Sequence, residues 1–268
     1  MTHSALTKEL IGDTSAMRLI LRIEPKRLSA LIVGPESVDP TVIAHSEEIA
    51  DESVRALENA IYDNPLLLLG DFAAIDIIFA DSDFFLLPRS AEPLLDELAE
   101  ALLPDYCCQR TVMMEPLPGE AAVGFAPDSD RLNFLSRTFA CARFHHSPAI
   151  VANRLMTLPD AGGLYALVNS ATDVCLCSLG ADGSLRYLNR PQTFGAADCA
   201  YYILAAAEAN EPITLITANN DLRAAITDTI TKVKPAARIL PPAFGPEMLA
   251  LRRMAPEAAS DMLFLARS

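Results

Sequence analysis

Two stretches of this chain repeat one order of signals, and the repeat narrows the folds open to it. The clearer copy runs from Leu164 to Tyr202, LYALVNSATDVCLCSLGADGSLRYLNRPQTFGAADCAYY. It reads as strand, tight turn, strand, turn, strand and helix. A weaker copy lies at Arg18 to Ala60. There Leu19, Leu21 and Ile23 alternate with Arg18, Ile20 and Arg22, which suits a strand. Glu24-Pro25-Lys26-Arg27 is a turn, because Pro presets φ and cannot sit in a central ladder. Leu28 to Val33 is a second strand ended by Gly34-Pro35, and Thr41 to Ser46 a third. Asp51 is expected to cap the next helix, which carries Val54, Leu57 and Ile61 at helical spacing. Set side by side without gaps, Gly34 falls on Gly180, Leu28 on Val174 and Leu21 on Leu167.

A meander of three strands followed by alternating helix and strand is the order of a ribonuclease-H-like half-domain. Two in tandem predict an α/β fold of duplicated ribonuclease-H-like domains in an actin-like ATPase arrangement, with mixed sheets flanked by helices. Two unrelated hairpins in an α+β protein are the plainer alternative. The expected organisation is a tail at 1–16, a first domain at 17–158, and a second at 159–268 that includes the C-terminal segment. Pro159 to Gly163 supplies the boundary turn.

Between the two copies, Ala74 to Phe79 reads as a strand and Phe84 to Pro88 as another extended piece. Pro93 to Leu103 reads as a helix with a Leu94, Leu95, Leu98 and Leu102 stripe, and Ala121 to Phe125 as a strand. Asp128 or Ser129 caps a helix burying Leu132, Leu135 and Phe139. Beyond the second meander, Ala197 to Ala209 is so apolar that burial on most sides is expected. Ile213 to Thr217 is a strand, Asn219 or Asn220 caps a helix with Leu222, Ile226 and Ile230, and Arg238 to Leu240 is a last short strand.

Phe85-Leu86-Leu87-Pro88, the Gly163 to Leu188 meander and the run Ala197 to Leu204 resemble an uncharacterised bacterial family with an actin-like ATPase fold. The resemblance covers most of 17–268. It implies a fold and no catalytic residue, since that family has no established activity. More distantly, the chain is similar to actin-like proteins of bacterial division and of pilus and secretion assembly. That similarity implies a nucleotide-responsive or nucleotide-free docking platform.

Actin-like ATPases hold phosphates on two hairpin turns. Each turn uses Gly so that backbone N–H groups approach the oxygens, and an Asp that organises Mg²⁺ through water. The equivalent turns in this chain, Ile23 to Lys26 and Asn169 to Asp173, contain no Gly. Pro25 removes a donor, and Asn169 stands where Asp is expected. The adenosine-side turn reads Thr217-Ala218-Asn219-Asn220 instead of carrying Gly-Gly. A hydrogen bond to a charged group is worth about 1.5–3 kcal/mol. Losing three or four removes roughly 5–10 kcal/mol, against about 8.2 kcal/mol for micromolar affinity. Tight Mg-ATP binding is therefore not expected. Were a nucleotide bound, Lys26, Ser170, Thr172 and Asn219 would be its substitute ligands; otherwise they are solvated turn and cap residues.

Other constellations are weaker. Cys175 and Cys177 share a strand face and, with Cys199, could form a thiol cluster, but C-x-C lacks the turn-borne spacing of zinc sites. Buried cysteines behave as small hydrophobes, and Cys107-Cys108 is no stronger. His145-His146 invites a metal or general-base role, but no H-x-x-x-H or partner acid at a telling distance supports it, and it reads as a surface or interdomain pair. Asp76, Asp81 and Asp83 form an acidic cluster after a strand that could hold Mg²⁺, but they read better as a solvated turn. Asp198 complements a helix dipole. The sequence thus assigns no catalytic residue, metal or cofactor. A formal charge of −14 argues against nucleic acid. Polar Met1 to Ala16 lacks a signal pattern, and the longest apolar run, Cys199 to Ala207, is too short to span a membrane. The expectation is a cytoplasmic, non-catalytic docking or regulatory module whose partner is another protein. An active ATPase or sugar-kinase-like enzyme and a self-assembling homo-oligomer stay open as alternatives.

Overall fold

The structure, a computed structural model, describes residues 14–267 except 35–41, 69–70, 81–82, 104–106, 108, 160–161, 242–245 and 257. The expected tail at 1–16 lies mostly outside the described residues, as do Pro35, Thr41, Asp81 and Cys108. Contacts divide the chain into two compact units, 1–115 with 124–147, and 116–123 with 148–268.

In the first unit β1 (Arg18–Glu24), β2 (Arg27–Val33) and β3 (Val42–Glu48) form an antiparallel meander. The helix α1 (Val54–Tyr62) and the short α2 (Pro65–Leu68) follow. The chain then returns as β4 (Ala74–Phe79), parallel to β1. With β8 (Arg143–His146), parallel to β4, the sheet order is β3-β2-β1-β4-β8. Between β4 and β8 come β5 (Phe84–Pro88), α3 (Leu95–Leu102), β6 (Met113–Pro116), β7 (Ala121–Phe125) and α4 (Ser129–Thr138). The strands β5, β7 and β6 make a three-stranded sheet in that order.

The second unit repeats this plan. After α5 (Ser147–Met156), β9 (Gly163–Ser170), β10 (Asp173–Leu179) and β11 (Leu185–Asn189) form the antiparallel meander. Then come α6 (Ala196–Ala206), β12 (Ile213–Ile216) parallel to β9, α7 (Asn220–Val233) and β13 (Ile239–Leu240) parallel to β12. The order β11-β10-β9-β12-β13 matches the first sheet position by position. Two helices, α8 (Pro246–Met254) and α9 (Ser260–Leu265), end the chain.

Register supports the pairing of the two copies at the hairpin itself, but an irregularity between Asp173 and Val174 then shifts β10 by one residue against β9, a shift that β1 and β2 lack. Glu24 pairs with Arg27 and Ser170 with Asp173, so each meander opens with a two-residue hairpin. Arg18 faces Ala74 and Leu164 faces Ile213 at the same step of the parallel ladder. The central strands are buried on both faces: Ile20 is as enclosed as Leu19 and Leu21. Helices and loops cover both sides of such sheets, so strict alternation disappears. One core gathers Leu19, Leu21, Leu28, Leu57, Ile77 and Phe125; another gathers Leu164, Val174, Leu176, Ile203, Leu215 and Ile226. Each such side chain contributes about 1.5–3 kcal/mol by leaving water. At the entry to β9, Gly163 has φ +98°, and a Cβ there would lie 2.6 Å from the Pro212 carbonyl oxygen.

Several local expectations change. Ser53, not Asp51, caps α1: its hydroxyl accepts from Ala56 N, while Asp51 accepts from Ser53 N and holds the cap in place. Around Pro93 the chain winds as a 3₁₀ turn, Arg89–Leu94, before α3 begins. Leu94 therefore leaves the helical stripe and is exposed with Leu102, while Ala99 is buried. The helix α6 packs against α7, β9 and β10 on one face only, and Tyr201 on the other face is 65% exposed. Arg143–His146 is a strand, an element not assigned from the sequence. Asp128, by contrast, caps α4 as expected through Arg131 N, and Asn219 caps α7 through Leu222 N.

Candidate functional site

The two hairpin turns are where the resemblance to actin-like ATPases would place a phosphate site. In the first unit, Pro25 and Lys26 form the turn and both are exposed. The Lys26 carbonyl accepts from Ile49 N at 3.1 Å. Beneath the turn, Arg22 is 2% exposed and pairs with Glu24 at 2.9 Å. Arg131 Nη2 donates to the Glu24 carbonyl at 3.5 Å.

The turn of the second unit is tied into its own surroundings. Ser170 Oγ accepts from Thr172 N and lies 3.2 Å from Thr172 Oγ1. Asn169 Nδ2 donates to Asp173 Oδ2 at 3.0 Å, and Asn169 Oδ1 accepts from Ser260 N at 2.8 Å. Asn169 thus supplies the N-terminal cap that α9 lacks locally, since Ala259 has no side-chain acceptor. Asp173 is 5% exposed and is held further by Arg190 Nε and Nη2. Asn219 spends its side-chain oxygen on α7. Of the residues named from sequence, Ser170 and Thr172 are brought together, Asn219 stands at a helix start, and Lys26 belongs to the other unit.

Backbone conformation adds to this. An anion nest needs successive N–H groups from residues of αR and αL conformation. Among the described residues, positive φ outside glycine occurs at Cys141 and Asn210, and at neither hairpin turn.

The densest charged cluster was not anticipated. Asp76, in the middle of β4, is fully buried. Its Oδ2 accepts from Arg18 Nε at 2.6 Å and Arg143 Nη2 at 3.1 Å. Its Oδ1 accepts from Arg143 Nε at 2.9 Å and His145 Nε2 at 3.0 Å. On the other side of the ring, His145 Nδ1 donates to Glu115 Oε1 at 2.9 Å. Glu115 Oε2 accepts His146 N at 2.7 Å. Burial alone would raise Asp76, but hydrogen bonds from His145, Arg18 and Arg143 outweigh it and hold the carboxyl well below the usual carboxylate range. Burial alone would lower His145, but its bonds to Asp76 and Glu115 prevail and push it up to about 9. His145 is therefore an imidazolium at neutral pH, donating from both nitrogens.

This corrects the reading of Asp76 as part of a solvated turn and of His145 as a histidine without a partner acid. Asp83 pairs with Arg110 at 2.9 Å. His146 is buried, with its ring 4.8 Å from Phe125 and 5.3 Å from Phe84. One signal in the sequence pointed to the cluster: a carboxylate inside the apolar strand Ala74 to Phe79 demands cations. The two carboxylates hold opposite ring nitrogens, so they do not converge on one point. Among the described residues, no group of three His, Cys, Asp or Glu is arranged to hold a metal ion.

The cysteines are likewise dispersed. Cys175 and Cys177 share one face of β10, whereas Cys199 packs with Val174 and Leu176 on the other. Burial pushes the Cys177 thiol up to about 12 and Cys175 higher than its usual value, so neither is a ready thiolate.

Paired mixed sheets with matching strand order define an actin-like ATPase fold, and the comparisons agree. A Bacteroides thetaiotaomicron protein with actin-like ATPase fold and unknown function is 17% identical, with a TM-score of 0.75 over 95% of this chain and 97% of the other. The ethanolamine utilization protein EutJ from Carboxydothermus hydrogenoformans is 6% identical, with a TM-score of 0.51 over 93% and 89%. At these identities the likeness shows the fold alone. Residues 8–211 match the family described as protein of unknown function (DUF3822), and the chain belongs to that family. No curated protein matches. Among the described residues, no helix is long and apolar enough to cross a membrane.

Proposed function

We propose that this chain is a non-catalytic actin-like docking or regulatory module whose partner is another protein, and whose phosphate-binding turns are degenerate. The observation that carries the reading is Asn169. Where the resemblance to actin-like ATPases leads one to expect a Mg²⁺-organising Asp, this side chain is neutral and committed at both ends, to Asp173 and to Ser260 N. The donor-poor turn at Pro25 and the absence of αL residues at both described turns point the same way. On this reading three or four charge-assisted bonds to phosphate are missing, which would remove roughly 5–10 kcal/mol. Isothermal titration of the full chain with ATP and Mg²⁺ tests this. No saturable heat is expected, and a dissociation constant below ~10 μM, about −7 kcal/mol, would overturn it. In that event Lys26, Ser170, Thr172 and Asn219 are the side chains to substitute first.

A further inference from the structure

Sheet edges expose unpaired N–H and C=O groups, and proteins blunt them with short strands, prolines, bulges or covering groups. Five edges among the described residues are blunted in these ways. The four-residue β8 has His146 N taken by Glu115. The strand β13 has two residues and is followed by Pro241. A register shift interrupts the pairing of β11. The strands β5 and β6 end on Pro88 and Pro116.

Among the described residues, the strand β3 has neither a proline nor a register shift; what guards it is charge, at His45, Glu47 and Glu48. It pairs with β2 over all seven residues, Val42–Glu48, without a register shift. Ile49 N donates to Lys26 O, which fixes the alternation. Residues 43, 45 and 47 turn their backbone groups toward β2, and Val42, Ala44, Ser46 and Glu48 turn theirs outward. Ala44, Ser46 and Glu48 are exposed. Two side chains on this strand are also left short of partners. Glu47 Oε1 and His45 Nε2 are shut off from solvent without a hydrogen bond, and the other Glu47 oxygen, Oε2, stands 3.7 Å from His45 Nε2.

The geometry points to β3 as a docking edge that takes up an extended, Lys- or Arg-bearing segment of another protein as a sixth strand. Main-chain bonds to residues 42–48 would supply affinity, and alternate side chains the specificity. The charge of the guest follows from its surroundings. Glu47 and Glu48 lie on the strand and exposed Asp51 and Glu52 just beyond, against two exposed cations at the adjoining turn, Lys26 and Arg27, the latter 3.8 Å from an 85% exposed Glu48. A second copy is the poorer occupant, because each chain carries −14. The inference shares the docking reading but not its evidence: a nucleotide that bound the turns would refute that reading and leave this edge untouched.

The test selects random ten-residue peptides displayed on phage against the full chain, then measures the enriched synthetic peptides by fluorescence anisotropy. Enriched sequences are expected to alternate apolar residues with Lys or Arg, and to bind more weakly as salt rises. Ala44→Pro removes an outward N–H without touching the β2 ladder, and is expected to weaken binding about tenfold or more. Ala44→Val, which keeps the N–H, leaves binding unchanged. Should Ala44→Pro lose the native circular dichroism, the Glu47→Gln/Glu48→Gln variant decides instead, with several-fold weaker binding expected. Failure to enrich any peptide, enrichment of acidic or uncharged ones, or binding indifferent to these substitutions overturns the proposal. So does a dimer in sedimentation equilibrium that Ala44→Pro abolishes, since the occupant is then a second copy.

Discussion

His145 Nε2 lies 3.0 Å from Asp76 Oδ1, a bond that joins the neighbouring parallel strands β4 and β8 across 69 residues of sequence. The direction of its titration follows. His145 is pushed up to about 9 in the fold, above its unfolded value of about 6.5. Its contribution is complete below about pH 6.5 and is lost as pH rises through about 9, amounting to on the order of 3 kcal/mol. Urea denaturation across pH 6–10, in about half-unit steps, is expected to show that alkaline fall. His145→Gln should flatten it.

Asp76 works in the opposite sense. Its folded carboxyl is held far below the usual range, so its contribution is present above about pH 4 and fades only as pH falls well below that. Asp76→Asn puts an amide donor among the donors of Arg18, Arg143 and His145. Breaking a buried pair from one side costs about 3–5 kcal/mol. With Arg143 58% exposed, water softens the loss, and a value near ~3 kcal/mol is expected from chemical denaturation. Adding Arg18→Met should recover part of it.

Asn169→Ala removes the cap of α9 and the contact with Asp173 together. Caps are worth about 0.5–2 kcal/mol, and a buried acceptor left short adds to that. A loss of roughly 2 kcal/mol in urea unfolding is expected. Asn169→Asp is the sharper probe, because it places a second carboxylate 3.0 Å or so from Asp173. It should destabilise the chain and should not restore Mg-ATP binding in calorimetry.

Gly163→Ala meets two obstacles, a φ of +98° and a carbonyl oxygen 2.6 Å from the new Cβ. Strain of this kind costs about 1–3 kcal/mol before the clash is counted. A fall in thermal midpoint of several degrees is expected, whereas Gly183→Ala, at φ +78° in open space, should cost less.

Much of the architecture was legible because it is local. Alternation, Gly and Pro placed β1, β2, β9, β10, β12 and the caps at Asp128 and Asn219 close to where they stand. The duplicated meander showed through the gapless pairing of Gly34 with Gly180. Residues whose partners are remote were not legible. The acid partners of His145 come from residues 76 and 115, on strands whose neighbourhood no periodicity reveals. Short β8 carried too few residues to show a pattern. Alanine misled at α6, since it is apolar on a hydropathy scale yet small enough to sit in water at little cost.

Glu115 offers one oxygen to the His145 ring and the other to the next residue's amide. A glutamine could accept only one of these two donors, and an aspartate is a methylene shorter. Positions 115, 145 and 146 should therefore be inherited as a set. Where a cousin of this chain has altered one of them, its companions should have drifted too, and the strand they fasten would be the first place to look for a changed outline.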